Sequence, residues 1–174
     1  MEFPAIERVR ADMNSNQNYL NSADLIRGFA LELEASSAED RKTFSNTPLG
    51  RIIPFLFNFL KNMDNLMRLD IEALTEPVPD TEQLAFENRA EKLTHSAYRS
   101  IFQAKTLMNI GPVGIPQHPA FTGMMDNLTR FADEILYPEL SASLKSSLDT
   151  LVDVSLAAKP GAISTQFLID QSSF

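Results

Sequence analysis

The chain has 174 residues, 15 of them basic and 23 acidic, for a formal charge of −8; that length suits one domain with one sizeable core. The charge repels phosphate backbones and anionic lipid surfaces, so nucleic acid is not an expected partner. With 44% hydrophobic and 22% charged residues and no cysteine, the composition is that of an ordinary globular protein without disulfides, thiolate nucleophiles, thiolate zinc sites or iron–sulfur clusters.

Glu2 stands where a secretory signal needs basic residues, and Arg10 and Asp12 interrupt any apolar signal core, so no signal peptide is read. The most apolar run, residues 52–60, lies between Arg51 and Lys61 and is far shorter than the roughly 20 residues a bilayer requires. No transmembrane segment is expected. The cytoplasm is the default compartment, and non-classical export would leave the same trace.

Pro4 followed by Ile6, Val9 and Met13 predicts a short helix to about Met13, broken by the polar run 14–18. Ser22 reads as the N-cap of a second helix with a stripe of Leu25, Ile26, Phe29, Ala30 and Leu33. Ser37 and Asp40 suggest a capped turn or two through Phe44. Thr47-Pro48 starts a long helix reaching Leu74, which either restarts or kinks at Pro54. Its segment 52–60 is apolar on all sides and is placed at the centre of the fold. Beyond it, Met63, Leu66, Met67, Ile71 and Leu74 form a one-sided stripe.

Residues 75–79 form a loop, and Asp80 or Thr81 caps a helix to about Asn109. Ala90, Ala97 and Ala104 recur every seven residues in it, which lets a near-antiparallel partner approach closely, and the helix from Pro48 is the nominated partner. The segment 111–119 carries three prolines and two glycines and reads as a fixed loop. Phe121 to Ile135 mark another helix, Pro138 ends it or starts its successor, and Lys159-Pro160-Gly161 stops the last one. The expected class is all-α: a single-domain helical bundle or orthogonal array of five to seven helices over residues 1–161, with a C-terminal arm at 162–174.

Catalytic constellations are lacking. His95, four residues from Glu91 and from Arg99, reads as a solvated surface histidine, and the acid is at the wrong offset for a helical di-iron motif. His118, in the proline-rich loop, is the one residue that a carboxylate-assisted hydrolase or transferase could use. Pairs such as Glu87 with Glu91, and Asp149 with Asp153, read as solvated helix faces. Asp64, Asp70 and Glu72 lack a calcium-loop pattern, no Gly-x-Ser-x-Gly occurs, and the Gly111–Gly114 segment lacks the lysine of a phosphate loop. No metal site and no cofactor are expected.

Apolar surface remains. Phe55, Phe57, Phe59, Met63 and Met67 could line a pocket for a small apolar ligand or a groove for a partner helix, and core packing explains the same residues. Phe167, Leu168, Ile169 and Phe174 lie beyond a helix stop, so the arm they form is expected to bind a partner, either its own body or another chain.

Residues 86–93 (Phe-Glu-Asn-Arg-Ala-Glu-Lys-Leu) and 114–121 (Gly-Ile-Pro-Gln-His-Pro-Ala-Phe), followed by two helices, resemble the second half of a globin over roughly half of the chain. A globin's haem-binding histidine would fall shortly before Gly114, and residues 106–111 contain none. The resemblance implies a globin-like pocket for an apolar ligand, or for haem without the ordinary ligation.

The function expected first is a non-enzymatic helical protein–protein interaction module, an adaptor or regulator, with a protein partner or self-association. From Gly111 onward seven acids face three bases, so the expected partner surface is basic.

Overall fold

The computed structural model describes residues 3–110, 119–144 and 146–147, and the protein is all-α. The helices are α1 (Pro4–Ser15), α2 (Asn18–Ala35), α3 (Ala38–Ser45), α4 (Pro48–Thr75), α5 (Gln83–Ile110) and α6 (Pro119–Phe131), followed by a π-helical turn, Ala132–Leu136. A further helical run, α7, covers 138–144. Among the described residues there is no strand, and no helix is long and apolar enough to cross a membrane.

Local chemistry sets the joints. Ser37 accepts from the Asp40 amide at 3.1 Å, and Thr47 accepts from the Gly50 amide at 3.0 Å with Pro48 in the first turn; each side chain satisfies a donor that the helix start leaves orphaned. The Thr47 hydroxyl also donates to the Phe44 carbonyl at 2.6 Å, locking the end of α3 onto the start of α4. A Cβ at Gly50 would overlap that same carbonyl oxygen. Gly50→Ala is expected to destabilise by about 1–3 kcal/mol, the range for overpacking, and chemical denaturation checks it: an unchanged midpoint would mean the α3–α4 joint is loose.

Two expectations change and one alternative closes. α2 begins at Asn18, a turn before Ser22, because Asn16 accepts from the Asn18 amide at 3.0 Å and Tyr19 joins Ser22, Ala23 and Ile26 in the interior; core packing of Tyr19 outweighs the polar run before it. Of the two alternatives at Pro54, α4 does not restart there: the helix is continuous from Pro48 to Thr75, with the proline ring on its exposed side. Ile71 and Leu74 are not core: α4 outruns the interior after Leu69 and Asp70, leaving them 64% and 71% exposed.

α4 packs along α5, the most extensive helix pair among the described residues. Ile52, Leu56, Phe59, Met63 and Leu66 of α4 are buried, as are Ala90, Thr94, Ala97, Ser100 and Ala104 of α5. Small residues on α5 admit the close approach, and Asn58 crosses it by donating to the Ser100 hydroxyl at 2.6 Å. Against this pair lie α1, α2, α6 and the π turn, and the buried apolar residues form one continuous cluster. Burial pushes the Tyr19 phenol up to about 12.

Candidate functional site

The sequence-based candidates scatter. Phe59 and Met63 are fully buried in the core, Phe55, Phe57 and Met67 pack half-buried against it, and of these five only Phe57 lines a groove described below. Phe167, Leu168, Ile169, Phe174, His118, Asp149 and Asp153 lie outside the described residues, as do residues 114–118 of the globin-like stretch. In the other half of that stretch Phe86 and Ala90 are core.

Two shallow grooves on the exposed side of α4 meet. One, of about 500 Å³, runs between α2 and α4 and is lined by Arg27, Ala30, Phe57, Leu60, Lys61 and Asp64 among others. The second, of about 380 Å³, runs between α4 and α5 over Leu69 and Leu93, with Glu72, Arg89 and Lys92 at its edges. Asn65 and Arg68 belong to both. Asp64 is already held by Arg27 at 3.3 Å. Lys61, Arg68, Arg89 and Lys92 are exposed and form no ion pair among the described residues; Arg89 lies 5.7 Å from the centre of the Phe86 ring. The helical spacing of Lys61 with Arg68, and of Arg89 with Lys92, places each pair on one face.

On another side of α5 a polar cleft of about 490 Å³ is lined by Arg8, Glu87, Glu91, His95, Tyr137 and Glu139, among others. His95 is not a solvated surface group: it is half-buried, its ring stacked on Tyr137 with centroids 3.7 Å apart. The π turn places Tyr137 there, closed by the Tyr137 amide donating to the Ala132 carbonyl at 3.2 Å, and Arg8 Nε donates to the Ile135 carbonyl at 2.6 Å. Glu87 is likewise not simply solvated, since its Oε2 is buried without a hydrogen-bond partner among the described residues, and burial pushes its carboxyl above the ordinary 4.5. A further cavity of about 650 Å³, between α5, the π turn and α7, includes Tyr98, Phe102, Lys105, Asp133 and Leu144 in its lining and none of the five Phe and Met candidates. Among the described residues no cluster of three His, Asp or Glu could hold a metal.

Burial holds the His95 imidazole below its ordinary 6.5, against the opposing pull of Glu91 and Glu139. The ring costs nothing above pH 6.5, where it is neutral folded or unfolded. As the pH falls through that value the unfolded chain takes the proton first, so stability declines. His95→Phe keeps an aromatic ring against Tyr137 and removes the titration. Its melting temperature is expected to fall less than wild type between about pH 7 and pH 5; equal declines would mean His95 is not desolvated.

The class that fold and surface define is an all-α helical array with a basic, apolar-floored double groove on an acidic chain. No protein-family model, curated protein or solved structure matches the chain.

Proposed function

We propose that the protein is a non-enzymatic helical interaction module, an adaptor or regulator, which docks another protein on the exposed face of α2, α4 and α5. The observation that carries this reading is the double groove sharing Asn65 and Arg68, with Lys61, Arg68, Arg89 and Lys92 around apolar floors and without an ion pair among the described residues. The chain carries 23 carboxylates, ample to neutralise these four cations. Four like charges left on one face repel each other, and a complementary partner turns that cost into steering and register. Arginine beside apolar surface is also characteristic of protein interfaces.

A photo-crosslinking amino acid at Asn65, compared with one at exposed Glu39 on α3, tests the reading. In lysate from the native source, a discrete protein adduct is expected from position 65 and none from position 39. Adducts at 39 but not 65 would move the interface elsewhere, and none at either position would remove the reading.

A further inference from the structure

We infer that the partner presents an acidic amphipathic helix to the double groove, an inference that rests on the interaction reading above. Leu69 and Leu93 floor the groove between α4 and α5, with Arg68 on one edge and Arg89 and Lys92 on the other. Across the α4 ridge, Ile26, Ala30, Phe57 and Leu60 supply the apolar lining of the groove between α2 and α4, and Lys61 adds a cation. Grooves on either side of a helical ridge, here sharing Asn65 and Arg68 of α4, are the kind of surface into which side chains of another helix pack. Apolar side chains of the partner at i, i+3, i+4 and i+7 would occupy the floors, and carboxylates flanking that stripe would meet the cations.

The spread of charge selects a helix over a small anion. Lys61 and Arg68 are two turns apart on α4, about 10 Å along its axis, beyond the span of a single phosphate. The apolar floors and the net charge of −8 disfavour a nucleic acid strand, whose backbone the whole molecule repels. Glu72 and the neutralised Asp64 are the two carboxylates in the grooves. They leave a net positive face that complements a helix carrying several acids, the reverse of the basic partner surface expected from the acidic excess after Gly111.

The test selects ligands from a displayed library of helix-forming peptides about 18 residues long, above the length at which isolated helices are marginal, with charge and apolar positions randomised. A poly-dT oligonucleotide and phosphatidylserine vesicles serve as parallel probes. The enriched peptides are expected to carry carboxylates flanking an apolar stripe and to bind more weakly as salt rises. Arg68→Glu/Arg89→Glu/Lys92→Glu should lose more than about tenfold in affinity, with unchanged circular dichroism, and Arg41→Glu/Lys42→Glu on α3 should retain it. Exchanging the selected peptide's carboxylates for lysines should restore binding to the charge-reversed variant. Neutral or basic enriched peptides, no enrichment, or preferential binding of the oligonucleotide or vesicles would overturn the inference. If position 65 crosslinks a partner through a segment that is not an acidic helix, the inference falls and the interaction reading stands. With neither adduct nor enrichment, both fall.

Discussion

Phe59→Ala is expected to cost about 3–5 kcal/mol, the range for deleting a buried phenylalanine, and so to remove a large part of the roughly 5–15 kcal/mol that holds a domain folded. Phe59 has no exposed surface, and its ring makes T-shaped contacts with Tyr19 and Phe131 at centroid distances of 6.3 and 6.4 Å. Tyr19 and Phe131 are themselves 5.3 Å apart. One ring from each of α2, α4 and α6 therefore closes a triangle at the centre of the molecule. Removing the α4 ring leaves a void that the neighbouring helices cannot fill without losing their own packing. Phe55→Ala, at a half-buried position on the same helix, serves as the control and should cost clearly less. Guanidinium unfolding midpoints for the two variants decide the matter; equal losses would mean the triangle is not a centre of packing.

The second large effect is asymmetric. Arg10 of α1 grips Asp70 of α4 with two hydrogen bonds, one from Nε to Oδ2 at 3.0 Å and one from Nη2 to Oδ1. The two side chains differ in burial: Arg10 is 37% exposed and Asp70 only 10%. Replacing arginine strands a carboxylate in the protein, whereas replacing aspartate leaves a guanidinium that can turn to water. Arg10→Met is accordingly expected to destabilise by about 2–3 kcal/mol, below the full range for breaking a buried pair because the arginine end is partly screened. Asp70→Asn should cost about 1 kcal/mol. The double variant Arg10→Met/Asp70→Leu should recover much of the loss, since the uncompensated charge is gone. Urea unfolding of the three variants reads this order directly, and a larger loss for Asp70→Asn than for Arg10→Met would contradict it.

The parts of the fold set by neighbouring residues were legible in the sequence. Ser37, Thr47 and Pro48 marked helix starts through donors that any such helix must satisfy, and the seven-residue spacing of Ala90, Ala97 and Ala104 pointed to a closely packed partner for α5, with α4, the nominated one, found in that place. What depended on distant residues was not. The start of α2 hinged on Tyr19 finding Phe59 and Phe131, and the burial of His95 on a tyrosine brought up by a π turn, which has no distinct sequence period. The double groove is an intermediate case. Lys61 and Arg68 stand two turns apart, and Arg89 and Lys92 one turn apart, so each pair could have been placed on a helix face once the α4–α5 pairing was nominated. Net charge hid them, because a sum over the chain carries no information about which side of a helix faces outward.

Lysine reactivity offers the most direct test of the docking face. Lys42 on α3, Lys61 on α4, and Lys92 and Lys105 on α5 are all exposed, so an amine-reactive acetylating reagent should label each of them in the free protein. After addition of the partner captured at position 65, mass spectrometry should find Lys61 and Lys92 protected while Lys42 and Lys105 label as before. Protection of Lys42 or Lys105 with Lys61 and Lys92 still reactive would place the interface elsewhere and contradict the account.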